Sequence, residues 1–389
     1  MGLRPEVGNP ELKRAILHRI RERGRITFRE FMDLCLYHPV YGYYSSDKEK
    51  IGARGDYYTS PCVHPLFGGM IAKQIHQMWV LMGRRSHFQI VEFGAGKGLL
   101  CHDILYSLRR ERPDFFRCLS YGMVEASPFF RREAEDLLLG EGFGEKVEWI
   151  VPQEVESGDF RVEGCIVSNE LIDSFPVHVV TAMDGHVREI YVTYGDGGFR
   201  EEIGNPSTGE LEEYFEKLSI VLDDGQRAEV NLMALDWMEV VGRILRRGFV
   251  VTIDYGHEAE ILYSPHRRSG TLVCYYAHTW NDNPYERIGL QDITSHVDFT
   301  SLTKRGEETG LRTTGLTAQY RFLINLGFLE EAQRKLEEDQ SPLEGIRNRL
   351  AMKTLILPDG GMGDVFKVLI QHKGIDNPQL DGLRNMETY

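Results

Sequence analysis

Nowhere in the 389 residues does an apolar run approach the ~18 residues that would span a bilayer. The N-terminus has no apolar signal core and carries Glu6 and Glu11 early, so neither a secretory nor a transit peptide is expected, and the expected setting is cytoplasmic. Cysteine is sparse. Cys35, Cys62, Cys101, Cys118, Cys165 and Cys274 form no C-x-x-C pair, which argues against a disulfide frame or a zinc site and for reduced, mostly buried thiols. His64, His178, His278 and His296 have no metal-ligand spacing, so no metal is expected. Positive charge is in deficit: 45 Lys and Arg against 59 Asp and Glu leave a net charge of −14. That excess disfavours nucleic acid as a partner. A basic peptide or protein fits better, although solubility alone also accounts for it. There is no internal repeat and no low-complexity stretch. The rest is ordinary soluble globular composition, long enough for two or three domain equivalents.

Glycine, by contrast, is concentrated at one point. Val91-Glu92-Phe93-Gly94-Ala95-Gly96-Lys97-Gly98 follows the apolar run 88–91 and precedes a helix-like run, Leu99 to Leu108. A strand, a glycine-dense turn and a helix in that order make a nucleotide site, because the backbone can approach a ligand and the helix N-terminus offers free N–H groups. A phosphate loop would need Ser or Thr after Lys97, where Gly98 stands. A dinucleotide fingerprint would need its third glycine one residue later, where Leu99 stands. What remains is E-x-G-x-G-x-G, the usual first motif of class I S-adenosyl-L-methionine (SAM) methyltransferases. An NAD or FAD site and a purely structural turn stay open as alternatives. Glu92, on the strand, suits the neighbourhood of a cationic ligand.

The next apolar run, 119–124, ends at Glu125-Ala126-Ser127-Pro128. A nucleotide fold needs a carboxylate at the tip of its second strand to accept the ribose hydroxyls, and Glu125 stands there. It also stands where a helix-entry residue would, since Ser127 and Pro128 start a helix in any case.

Asn9 and Pro10 open a helix over 11–23 that Gly24 closes, and Thr27 with Glu30 forms a capping box for a second that stops before Pro39. An aromatic, aperiodic stretch follows (37–61), then a helix over 65–81. Strand 88–93, helix 97–110, strand 119–124, helix 128–139, a short strand 147–151 and strand 164–168 then alternate, as in a doubly wound, mostly parallel α/β sheet. Residues 177–194 read as a hairpin around Asp184-Gly185. Helices are expected over 209–218 and 229–247, then a strand over 249–253. An extended stretch 270–276 and a loop over 281–300 come next. A strand 311–319, helices 320–326, 329–337 and 343–353, a last strand 365–372 and a frayed tail from Gly374 complete the reading. The expected divisions are 1–60 (helical cap and aromatic loop), 61–176 (SAM-binding half), 177–248 (inserted α+β subdomain), 249–375 (second half of the core) and 376–389 (tail).

Ser168-Asn169-Glu170-Leu171-Ile172-Asp173 ends the fourth strand, and ligands of open α/β sheets bind beyond the carboxyl ends of strands. Asn169, Glu170 and Asp173 are therefore the candidate catalytic residues. Methyl transfer is an in-line displacement in which the enzyme aligns donor and acceptor. Carboxylates would hold a guanidinium bidentately, and an asparagine would orient an amide or hydroxyl. A local role, capping the next turn, is the plain alternative for Glu170 and Asp173. Asp254 faces the same edge. His257, three residues on, reads as structural.

The segments LYHPVYGYY (36–44), GDYYTSPCVHPLFG (55–68), EFGAGKGLL (92–100), SNELIDSFPV (168–177), IDYG (253–256), GTLVCYYAH (270–278), QDITSHVDFTSL (291–302) and LPDGGMGDVFKVL (357–369) carry a resemblance. The chain resembles the MidA-like SAM-dependent methyltransferases, which include the mitochondrial complex I assembly-factor arginine methyltransferases. The resemblance implies a class I fold with a helical N-terminal cap and SAM as cofactor. It implies a protein acceptor, with arginine and a respiratory-complex subunit as its candidates. It places Gly55, Asp56, Thr59, Ser60 and Pro61 over the methionine end of SAM, beside Glu92, Gly94, Ala95, Gly96, Gly98, Glu125, Ala126 and Ser127. It makes Asp292, Thr294, Asp298 and Phe299 an acceptor wall. Val273 departs from the family pattern, where many members carry arginine. The missing presequence points to a bacterial, cytoplasmic member. A small-molecule or lipid acceptor, and a non-catalytic assembly protein on a SAM-binding fold, are the rival functions.

Overall fold

The structure is a computed structural model that describes residues 8–52, 55–156, 158–339, 341–358 and 360–384. The chain forms two compact units. One gathers residues up to Tyr57 with Ile172–Asp236 and Gly256–Leu302; the other gathers Tyr58–Leu171, Trp237–Tyr255 and Thr303 onward.

The second unit is built on a seven-stranded sheet: Phe88–Phe93, Leu119–Val124, Val147–Trp149, Val162–Asn169, Leu245–His257, Arg312–Ala318 and Phe366–Lys373. Counted in chain order, these strands lie 3-2-1-4-5-7-6 across the sheet. Only Phe366–Lys373 runs against the rest. The strands are nearly continuous apolar runs, as a sheet covered on both faces requires. Ile90, Tyr121, Cys165, Val251 and Val368 lie in one buried core with the helices Leu66–Leu81 and Leu99–Glu111. Those two helices meet closely at Gly68, where a Cβ would stand 2.4 Å from that of Asp103. Phe93 pairs with both Val124 and Ser168, so the turns after these three strands share one edge. Strand order reverses between the first and fourth strands, the switch point where open sheets bind ligands.

The first unit has a five-stranded antiparallel sheet (Ile26–Thr27, His178–Met183, His186–Gly195, Gly198–Gly204, Arg227–Val230) and a small three-stranded one (Val273–Tyr276, Thr279–Asn281, Asp292–Thr294). Helices Pro10–Arg23 and Phe28–Tyr37 pack Leu12, Ile16, Phe28 and Phe31 against Val179 and Val192. The Asn9 side chain accepts the N–H groups of Glu11 and Leu12, a proper N-cap. Thr27 caps Glu30, but the Glu30 carboxylate turns to Arg23.

Three expectations are corrected. The helix expected over 229–247 is a strand, Arg227–Val230, then a helix, Leu232–Ile244. Asn231 accepts the Ala234 N–H and so starts the helix later, while Leu245–Arg247 are drawn into sheet pairing with Val162 and Glu163. Tertiary pairing there overrides good helix formers. The loop expected over 281–300 holds two strands and the start of helix Phe299–Glu308, capped by Asp298 through the N–H groups of Thr300 and Ser301. The tail from Gly374 is not frayed as far as it is described. Leu380 is buried and the Gly382 N–H reaches Gln74 Oε1 at 3.0 Å. Residues 385–389 lie outside the described residues.

Candidate active site

The glycine turn takes its shape from backbone that side chains resist. Gly94, Gly96 and Gly98 have φ of 70°, 53° and 73°. Gly98 leads the helix Leu99–Glu111, and a Cβ on it would lie 2.9 Å from that of Ala134. The Gly94 N–H donates to Val124 O (2.9 Å) and the Gly98 N–H to Ala95 O (2.9 Å). Glu125 ties the first two strand ends together: its carboxylate accepts the N–H of Gly96 at 2.8 Å and of Ser127 at 2.7 Å. Ser127 caps the helix Pro128–Gly140 through the Phe130 N–H. Ala95 is buried and Ala126 exposed.

Glu92 points into the sheet core. It is buried and accepts the Tyr121 hydroxyl at 2.6 Å. Burial pushes its carboxyl up to about 8, the Tyr121 hydrogen bond opposing that and Glu125 adding to it. Tyr121 is a partner that the sequence reading missed. Its only signal is a hydroxyl on a neighbouring strand close to a buried acid, a diagonal sheet pair.

At the end of the fourth strand, Glu170 is a non-glycine residue in the left-handed region (φ 52°), a strained conformation that clusters at functional sites. Its N–H donates to Ile253 O, and the next N–H, of Leu171, to Asp254 Oδ2 at 3.2 Å. Glu170 Oε1 accepts the N–H of Ser60 at 2.7 Å and the side-chain amide of Asn169 at 3.0 Å. Ser60 is fully buried at the start of the short helix Ser60–Val63, with Thr59 before it and Pro61 behind. The other side-chain atom of Asn169, Oδ1, is buried with no hydrogen-bond partner among the described residues. Asp254, wholly buried, thus holds the turn that presents Glu170.

The second unit therefore brings Glu92, the glycine turn, Glu125–Ser127, Thr59–Pro61, Asn169 and Glu170 into one body. Gly55, Asp56 and Asp173 belong to the first unit. There Asp56 accepts the Tyr43 hydroxyl, the Lys48 ammonium and the Ala277 N–H. A Cβ on Gly55 would lie 2.2 Å from Lys50 O. The Asp173 carbonyl accepts the Ser295 N–H. Asp292 accepts the Tyr44 hydroxyl at 2.9 Å, and burial, helped by the Asp173 charge, pushes its carboxyl up to about 8. Thr294 donates to Val273 O, Asp298 caps a helix and accepts Tyr214, and Phe299 is core. His257 contacts Arg267, and its ring lies tilted against that of His296 with centroids 5.5 Å apart. Among the described residues there is no cluster of His, Cys, Asp and Glu fit to hold a metal, and no helix long and apolar enough to cross a membrane.

A glycine turn without a lysine–serine pair, a carboxylate on the second strand and a 3-2-1-4-5-7-6 sheet select SAM among the nucleotides considered above. A family model described as "Putative S-adenosyl-L-methionine-dependent methyltransferase" matches residues 70–317. The chain belongs to this family. The methyltransferase is 28% identical to the mitochondrial protein arginine methyltransferase NDUFAF7 homolog of Caenorhabditis elegans, over 86% of this chain and 81% of the relative. It is 28% identical to the homolog of Drosophila melanogaster, over 97% and 88%. A crystal structure from Burkholderia thailandensis, bound to S-adenosyl-homocysteine, superposes with a TM-score of 0.85 at 29% identity, covering 97% of both chains. SAM is the cofactor and the fold is class I. The residues of this chain fit the group. The positive-φ glycines clear a cradle that side chains would fill, and Glu125 stands at the end of the second strand with its carboxylate on the Gly96 N–H.

Proposed function

We propose that this methyltransferase methylates a nitrogen on a protein, and that the nitrogen belongs to an arginine side chain. The observation that carries the reading is Asn169. Its Oδ1 is a buried acceptor with no donor among the described residues, on the edge that holds the glycine turn. A guanidinium has only donors to offer and would supply what Asn169 lacks. The naming of two relatives as protein arginine methyltransferases supports the same acceptor. SAM, when bound, supplies an electrophilic methyl group on a sulfonium. The chain's own residues do the rest. Gly94, Gly96 and Gly98 give close backbone approach, and Glu125 takes the ribose hydroxyls. Thr59–Pro61 close the methionine end. Asn169 and Glu170 orient the acceptor nitrogen. Positioning of this kind is the main source of rate in a displacement that needs no covalent enzyme intermediate.

The test is transfer of radiolabelled methyl from SAM to lysate proteins separated on a gel. The reading expects protein bands that fade at least tenfold in Asn169→Ala while SAM affinity holds. Label found only in small molecules or lipid, or bound SAM with no transfer, overturns it.

A further inference from the structure

The helix Pro342–Ile356 has apolar residues on two faces, and only one is covered. Met352 and Leu355 are buried. Leu343, Ile346 and Leu350 are 59%, 58% and 61% exposed. Their i, i+3, i+7 spacing puts them on one side within an arc of roughly 60°. Single exposed leucines are normal, but three in register on one face are a patch. Arg347 borders this stripe on one side, and Arg349 with Lys353 on the other. All three are exposed, and their side chains have no ion-pair or hydrogen-bond partner among the described residues. In a chain of net charge −14, three unpaired cations framing three aliphatics on one helix stand out from the surface average.

We propose that this face docks an acidic amphipathic helix of a protein partner, with its apolar ridge on Leu343, Ile346 and Leu350 and its carboxylates on Arg347, Arg349 and Lys353. Charge complementarity selects this occupant. A second copy of the same face would set cation against cation across a two-fold axis. A planar anionic membrane would repel the acidic body as a whole, including the exposed Glu330, Glu337 and Glu338 of the adjoining helix Phe328–Glu338. A single helix need only meet the stripe. Apolar contact supplies the attraction and the two cation rows set the register.

The probe is a labelled 15-residue helical peptide with leucines at i, i+3, i+4 and i+7 and glutamates beside them, read by fluorescence anisotropy against the full chain. The expected result is saturable binding, weakened at least tenfold in Leu343→Ser/Ile346→Ser. In Arg347→Glu/Arg349→Glu, preference should switch to the matching lysine peptide. These side chains are exposed, so circular dichroism should show both variants folded. No peptide binding, equal binding of the glutamate and lysine peptides by the wild type, phosphatidylglycerol vesicles bound in place of the peptide, or a dimer in light scattering broken by these substitutions would each overturn the proposal.

Discussion

Glu170 holds the backbone N–H of Ser60 at 2.7 Å, across 110 residues of sequence. The hydrogen bond is charge-assisted and both partners lie in the second unit. It fastens the first residue of helix Ser60–Val63 to the strand end beside the glycine turn. A bond of this kind contributes about 1.5–3 kcal/mol. Glu170→Ala should therefore raise amide exchange over 58–63 and weaken SAM binding about 10-fold or more, whereas Glu170→Gln keeps an acceptor and should lose less. Hydrogen exchange by mass spectrometry with SAM titration reads both. Unchanged exchange in Glu170→Ala counts against the tie.

Gly98→Ala should destabilise the fold. Its φ of 73° disfavours a side chain, and the new Cβ would sit 2.9 Å from that of Ala134 on a neighbouring helix. A cost of about 1–3 kcal/mol is expected. Gly140→Ala, with nothing within 4 Å and no positive φ, is the control and should be near neutral in urea unfolding.

Glu92 predicts a pH dependence. Its folded pKa is raised from 4.5 to about 8, chiefly by burial. The native state therefore keeps a proton that the unfolded chain releases near its ordinary value. The stability this group contributes is full below about pH 4.5, declines as pH rises, and is gone above about 8. Asp292, raised to about 8 by burial and the Asp173 charge, acts in the same window from the first unit. Glu92→Gln should flatten the fall in stability between these limits and gain on the order of 1 kcal/mol at the alkaline end. Thermal melts across pH would show it. An unchanged slope would mean that Glu92 is ionised in the fold.

Asp254→Ala should disturb the site without touching the cofactor directly. It frees the Leu171 N–H and relaxes the left-handed turn at Glu170. A fall in kcat of about 10-fold or more is expected, with SAM affinity less affected. Asp254→Asn retains an acceptor and should recover part of the rate.

The core of this fold was legible because its signals are local. The strand Phe88–Phe93, a glycine turn with restrictive spacing and the helix Leu99–Glu111 follow one another directly in the chain, and Asn9, Thr27 and Ser127 each cap a helix from within three residues. The place of Glu125 at a strand end was legible from the apolar run before it, but its bonds to the Gly96 and Ser127 N–H groups were not. The misreadings come where partners are distant in sequence. Leu245-Arg246-Arg247 looks helical until Val162 and Glu163 are beside it. Leu380 looks like tail until the Gln74 contact to Gly382 anchors it. The same distance hid the Glu170–Ser60 tie and Tyr121 as the partner of Glu92. A carboxylate at a strand end announces a site, but not which donor its oxygens will meet.

The most direct test of the central claim, that the turn from Glu92 to Gly98 with Glu125 seats SAM, is calorimetry of S-adenosyl-homocysteine and SAM binding to wild type, Glu125→Ala and Gly96→Arg. The account predicts one saturable site in the wild type, affinity about 10-fold or more lower in Glu125→Ala, and no binding in Gly96→Arg with the fold retained. Absent binding in the wild type, or affinity unchanged in folded Gly96→Arg, would contradict it.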